Sequence, residues 1–246
     1  MISIIKVPNI PIIKSVKQFY FSLENELNNL IMDGDILVCA HTPWSRVNGP
    51  IYKIEEMVPS NEAIELAKEL DKDPKKIEII LQLSNEVVKI GRNVIITENK
   101  AGVICANAGV DESNAGLGYA LGVPEDPDKL AREIRQFIKE KLRRQVAVII
   151  SDTVGRALRR GAVNIAIGVA GIAAMKSEIG KKDLFGYEMR VSEIAIADEI
   201  AAAAELLQGQ TNEASPFILV RGYPINFEGE ENARLLNRPK NERLFN

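Results

Sequence analysis

Asp152 and Thr153 stand side by side after the apolar run Val146 to Ser151, and Arg156, Arg159 and Arg160 follow between Gly155 and Gly161. An acid and a hydroxyl at a strand end can hold a hard cation such as magnesium or manganese. Guanidinium groups flanked by glycine can fork onto phosphate or carboxylate oxygens. Acid, hydroxyl, glycine and arginines together suit phosphoryl transfer, with Arg156, Arg159 and Arg160 as candidate catalytic groups for acidic substrates. A second constellation, Asn107-Ala108-Gly109-Val110-Asp111-Glu112-Ser113-Asn114, follows another apolar run. Asp111 offers a hard oxygen ligand, and Asn114 can hydrogen-bond a phosphate or a base. The plainer alternatives are an Asx-turn loop and a solvated charged face. Residue types alone leave both open.

Several familiar chemistries are excluded. Gly116-Leu117-Gly118-Tyr119-Ala120-Leu121-Gly122 misses dinucleotide-loop spacing by one residue and lacks a following acid in a βαβ context. No P-loop pattern occurs, so any triphosphate is held by another architecture. The chain has one histidine, His41, too few for a multi-histidine metal site. Cys39 and Cys105 each sit inside an apolar run, as buried small hydrophobes do. They give no disulfide framework, which fits a reducing cytoplasm. The net charge of -3 gives no general attraction to nucleic acid or anionic membrane. A nucleic-acid contact at Arg156 to Arg160 is disfavoured by that charge and by the lack of interleaved aromatics. The start of the chain lacks a signal-peptide pattern, and no stretch reaches transmembrane length. A cytoplasmic protein free of nucleic acid and membrane, acting on small molecules, is expected.

These groups need rigid elements beneath them. Val16, Phe19, Tyr20, Leu23, Leu27 and Leu30 recur at helical spacing across residues 15 to 30. Asp33-Gly34-Asp35 turns into a buried strand, Ile36 to Ala40. Pro59-Ser60 and Asp73-Pro74 each open a helix, the second with an acid cap and a proline in the first turn. Val94 to Thr97 and Val103 to Ala106 read as a hairpin across Asn99 to Gly102. Asp126-Pro127 opens a helix with Leu130, Ile134, Phe137, Ile138 and Leu142 on one face. Val146 to Ser151 is a strand, residues 163 to 176 have no clear assignment, and Ile194 to Leu207 is an Ala-rich helix closing near Gly209. Phe217 to Val220 is the last strand. This order favours α+β. Mixed sheets without a P-loop or a dinucleotide-binding motif are expected.

Taken in combination and order, these segments resemble the coenzyme F420-0:L-glutamate ligase family. The resemblance rests on Ile10-Pro11-Ile12-Ile13, Asp33-Gly34-Asp35, Asn107 to Asn114, Asp152 to Gly161, Ala197-Asp198-Glu199-Ile200-Ala201 and Val220-Arg221-Gly222. The ending from Arg238-Pro239 to Leu244-Phe245 adds to it. It implies a GTP-dependent enzyme that attaches L-glutamate to coenzyme F420-0, often followed by a second, γ-linked glutamate. It also implies Mg2+ or Mn2+, a monovalent cation such as K+, a homodimer and an α+β fold of two lobes: a large nucleotide-binding lobe of residues 1–92 and 188–246, and a smaller lobe of 93–187 carrying the metal and substrate loops. By position, Asp111, Asp152 and Thr153 would be metal ligands, with Gln210 where some relatives place a metal-binding glutamate. Ile10, Pro11, Ile12, Ile13, His41, Thr42, Arg46, Asn114, Gly209, Gln210 and Thr211 would line the nucleotide site, and Gln208 to Ser215 would close over it.

The chain departs from the family pattern at three of these positions. His41 replaces a small hydroxyl residue, Arg46 a lysine and Gln210 an acid. Rival expectations are a ligase using ATP or another carboxylate acceptor, and a catalytically silent nucleotide- or deazaflavin-binding protein.

Overall fold

A computed structural model of the chain describes residues 1–227 and 232–243; Leu244 and Phe245 of the family-like ending lie outside them. In chain order the elements are β1 (Ser3–Lys6), α1 (Val16–Leu27), β2 (Ile36–Ala40), α2 (Thr42–Asn48) and β3 (Ile51–Lys53). Next come α3 (Asn61–Leu70), α4 (Pro74–Gln82), β4 (Ser84–Gly91), β5 (Val94–Asn99), β6 (Ile104–Ala106) and β7 (Tyr119–Leu121). The remainder is α5 (Pro127–Lys141), β8 (Ala147–Arg156), β9 (Arg159–Ala170), β10 (Lys176–Ser177), β11 (Glu193–Ile194), α6 (Ile196–Gln208) and β12 (Phe217–Arg221). The class is α+β, as expected.

A five-stranded sheet runs in the order β1-β12-β2-β8-β9. Only β2 and β8 pair in parallel; the other neighbours are antiparallel. The runs Ile36 to Cys39 and Ala147 to Ile150 are apolar at every position because both sheet faces are covered. On one face Leu37, Cys39, Val148, Ile150, Phe217 and Leu219 meet Phe19, Leu23 and Leu27 of α1 and Leu130, Ile134 and Ile138 of α5. On the other, Ile36, Val38, Ala147, Ile149, Ile218 and Val220 meet Ala197, Ile200, Ala201 and Ala204 of α6. The result is three layers, with α1 and α5 on one side of the sheet and α6 on the other.

The helices start where their capping residues say. Ser15 Oγ accepts from Gln18 N, Ser60 Oγ from Ala63 N, Asp73 from Lys75 N and Asp126 from Lys129 N. α5 lies so close to the sheet that a Cβ at Gly168 would collide with the Pro127 carbonyl.

A third apolar cluster joins α3 and α4 through Ala63, Ala67, Leu70, Ile77 and Ile80 to Ile95, Ala108 and Ala120. It draws on residues 63–120, while β8, β9 and α5 belong to the main layers. A strand that is apolar at every position needs cover on both faces, so β8 takes an interior place in the sheet. The β4-β5-β6 meander contains the expected hairpin, with β4 added at its edge. No helix among the described residues is long and apolar enough to cross a membrane.

Asp128 ties α5 to two distant segments. Its Oδ1 accepts from Val169 N at 2.8 Å and from Ala233 N at 3.2 Å. Burial raises its pKa above the ordinary value of 3.8, partly opposed by the two backbone donors. The folded chain therefore binds this proton more readily than the unfolded one, so the group's contribution falls as pH climbs through the raised value. Asp128→Asn keeps the accepting Oδ1 and removes the buried charge. Its melting temperature relative to the parent should rise as pH climbs above about 4, the ordinary carboxylate value, and level off once the folded group has ionised. Melts across that range check this; a difference that shrinks with pH would contradict it.

Candidate active site

A cavity of about 890 Å³ opens where the ends of β2 and β8 meet four loops. Its walls come from residues 10–13, the start of α2, the loop after β6, Ser151 to Thr153 of β8, Asn164 of β9 and residues 208–216 after α6. Asp111, Asp152, Thr153 and Gln210 all line it, as do Ile10, Pro11, Ile12, Ile13, His41, Thr42, Arg46, Asn114, Gly209 and Thr211. Two aspartates distant in the chain thus share one space.

β8 runs past the expected strand end at Ser151 and carries Asp152 and Thr153 within it, pairing with Ile165 and Asn164 of β9. Asp152 Oδ1 accepts from Thr153 N at 2.7 Å and lies 3.2 Å from His41 Nε2. The other ring nitrogen, Nδ1, sits 3.0 Å from Ser45 Oγ, and the imidazole is only 3% exposed. His41 forms a wall of the cavity with both nitrogens engaged inside the protein.

Thr153 heads a chain of polar contacts. Its Oγ1 donates to Asn164 Oδ1 at 2.6 Å and accepts from Gln210 Nε2 at 3.0 Å. Asn164 Nδ2 donates to Gln208 Oε1 at 2.7 Å, and Gln208 Nε2 to Pro216 O at 3.1 Å. Glu205 holds the far side, accepting from Asn164 N at 3.0 Å and Gln210 Nε2 at 2.6 Å. One continuous network thereby fixes β8, β9, the end of α6 and the 209–216 loop together.

The Asp111 loop leaves β6 through a strained turn. Asn107, Ala108 and Gly109 all have positive φ, at 52°, 56° and 70°. Left-handed backbone costs a non-glycine residue roughly 1–2 kcal/mol, so the surroundings must hold it. Asn107 Oδ1 accepts from Ile95 N and Lys72 Nζ, and Asn99 Nδ2 donates to Ala108 O. Gly109 is required by its φ and by space: a Cβ there would lie 3.2 Å from Val123 and 3.4 Å from Asp152 Oδ2. The turn therefore packs directly against the Asp152 carboxylate. Beyond it, Asp111 exchanges two backbone hydrogen bonds with Leu121, and its carboxylate accepts from Ser113 N at 2.8 Å and from Ser113 Oγ.

Arg46 enters from α2. Burial lowers its pKa, and among the described residues its buried Nε has no hydrogen-bond partner. Such a guanidinium can fork onto phosphate or carboxylate oxygens.

Residues 8–222 match the family described as F420-0:Gamma-glutamyl ligase. The chain belongs to this family. It is 46% identical to the coenzyme F420:L-glutamate ligase of Methanocaldococcus jannaschii, over 96% of this chain and 94% of that one. Identity to the Methanothermobacter thermautotrophicus protein of the same name is 40%, over 99% and 98%. For the Archaeoglobus fulgidus protein it is 41%, over 85% and 83%. The chain is accordingly an enzyme, a ligase.

Arg156, Arg159 and Arg160 stand apart from the other expected site residues. They flank the turn between β8 and β9, Arg156 ending one strand and Arg159 and Arg160 opening the next; all three are exposed and do not line the cavity. Arg156 folds back onto its own turn, donating to Gly161 O at 3.1 Å and Arg160 O at 2.6 Å. Asn164 and Glu205 were missed in the sequence. Asn164 alone carried a signal, a polar residue within the apolar run Ala162 to Ala166. Cys105 lies near Asp152, and burial with that charge pushes its thiol up to about 12, so it stays protonated. Burial raises Cys39 as well, and both thiols are free.

Proposed function

We propose that this ligase joins L-glutamate to coenzyme F420-0 at the expense of GTP held in the 890 Å³ cavity. The substrates follow from the relatives, each named a coenzyme F420:L-glutamate ligase. One observation carries the nucleotide reading. An unpaired, partly desolvated Arg46 and the oxygen-rich set of Asp111, Asp152 and Thr153 line the same cavity. That pairing suits a triphosphate with its cation.

The acceptor's carboxylate oxygen attacks the γ-phosphorus, the bond to the β-phosphate oxygen breaks, and GDP leaves behind an acyl phosphate. The uncharged amino group of glutamate then attacks the acyl carbon. Phosphate departs, the amine proton passes to solvent, and an amide remains. No protein nucleophile is needed, consistent with two buried, protonated thiols.

Arg46 binds phosphate oxygens, the 107–114 turn orients Asp111, and the Thr153–Asn164–Gln208 network holds the floor rigid. The donor set fits Mg2+ or Mn2+: carboxylates, a hydroxyl and an amide oxygen are hard ligands. Asp111, Asp152, Thr153 and Gln210 would hold it, and a bound cation neutralises phosphate charge during transfer. A monovalent cation and a homodimer complete the proposal, both by family resemblance.

Incubating the enzyme with F420-0 and glutamate, with GTP and ATP in separate reactions, tests the function. A product heavier by one or two glutamyl groups, formed with GTP, is the supporting result. Product formed only with ATP, or nucleotide binding without turnover, would replace this reading. Arg46→Met should raise KM for the nucleotide by about 10- to 100-fold, the worth of one charged hydrogen bond. Arg46→Lys should recover part of it, because it keeps the charge but loses the fork. An unchanged KM in Arg46→Met would remove Arg46 from the phosphate site.

A further inference from the structure

We infer that His41 is a positioning residue: it holds the Asp152 carboxylate in the orientation that presents Oδ2 to a divalent cation. The inference rests on the proposal that Asp152 is a cation ligand. A carboxylate only accepts, so the 3.2 Å contact needs a proton on His41 Nε2. Nδ1 is then free to accept from Ser45 Oγ at 3.0 Å, and Ser45 is fully buried at the next turn of α2. The serine fixes the ring and the ring fixes the carboxylate.

Both donors to Asp152, His41 Nε2 and Thr153 N, use Oδ1. Oδ2 points the other way, toward Gly109 and the turn that leads to Asp111. Turning the carboxylate out of this plane would break two hydrogen bonds in a region almost without water, since His41 is 3% and Asp152 12% exposed. The imidazole thus holds one oxygen in place and leaves the other facing the 107–114 loop. The arrangement is the familiar support of a metal ligand by an outer hydrogen bond, with the acid as ligand and the histidine behind it. It also gives a role to the one histidine in the chain without asking it to touch nucleotide or metal.

The test is Mn2+ affinity of the full chain, measured by calorimetry and by the loss of the free-ion EPR signal, alongside thermal melts. His41→Leu keeps bulk but removes the donor, and should bind Mn2+ about 10- to 100-fold more weakly while remaining folded. His41→Gln, whose amide nitrogen reaches the Nε2 position, should restore affinity to within a few-fold of the parent. Ser45→Ala should show a smaller loss than His41→Leu. Asp152→Asn separates the two claims. If Asp152→Asn loses Mn2+ and His41→Leu does not, the positioning role is overturned and the cation site stands. The role also fails if His41→Gln binds as poorly as His41→Leu, since packing alone would then explain the loss. If Asp152→Asn binds like the parent, or the parent binds no Mn2+, the cation site falls and the inference with it.

Discussion

Asp152→Asn is expected to reduce glutamate-dependent nucleotide consumption by a factor on the order of 10³, the scale of losing several kcal/mol of cation-assisted stabilisation. The substitution is close to isosteric. Its Oδ1 can still accept from Thr153 N and from His41, the two contacts that hold the parent side chain. What disappears is the negative charge on the oxygen facing Gly109 and the Asp111 loop. The fold should survive, because Asp152 contributes no buried ion pair to the main sheet other than its contact with a histidine. Turnover and melting temperature measured on the same preparation check both halves. A well-folded variant with parental turnover would remove Asp152 from the chemistry.

The largest stability effect is expected at the opposite end of the sheet. Asp35 is 1% exposed and receives Arg221 Nε at 2.8 Å and Arg221 Nη2 at 2.7 Å, with Met32 N at 2.8 Å completing its shell. Arg221 also donates to Leu30 O at 2.7 Å. The pair pins the end of β12 to the turn that feeds β2. Arg221→Met would strand a carboxylate in the core and cost about 3–5 kcal/mol. In a chain of this size that is a drop of roughly 6–20 °C in melting temperature. Adding Asp35→Asn to it should recover part of the loss, because no uncompensated charge then remains. Chemical denaturation of the single and double variants measures both numbers. A double variant less stable than the sum of the singles would contradict the account.

That pair illustrates what the sequence concealed. Asp33-Gly34-Asp35 and Val220-Arg221-Gly222 both stood out as segments, but their contact spans 186 positions and no local pattern announces it. Local signals fared better. Three capping signals, at Ser60, Asp73 and Asp126, placed three helix starts, and apolar runs marked β2, β8 and β12, because each rests on interactions within a few residues. β9 was opaque. Its outer half, Arg159 to Ala162, is exposed and its inner half buried, so neither alternation nor a long apolar run persists along its length. The same cause hid the true end of β8: Asp152 and Thr153 face a cavity and look like loop residues when read alone. The arginine turn was the reverse case. Clustered charge suggested a site, whereas here it crowns an exposed hairpin whose first arginine caps its own backbone. The acidic and amide groups around the cavity were legible one by one; their convergence was a matter of topology.

The dispersal of the cavity's walls has a consequence of its own. Residues 10–13 and 208–216 line the same space, joined through β1 and β12, which pair edge to edge. No contiguous stretch of chain contains a working half of this pocket, so it cannot be excised, grafted, or frayed open while the sheet stays intact. Ligand capture and global cooperativity are therefore one property here, and whatever occupies the pocket weighs on the unfolding equilibrium of the whole molecule.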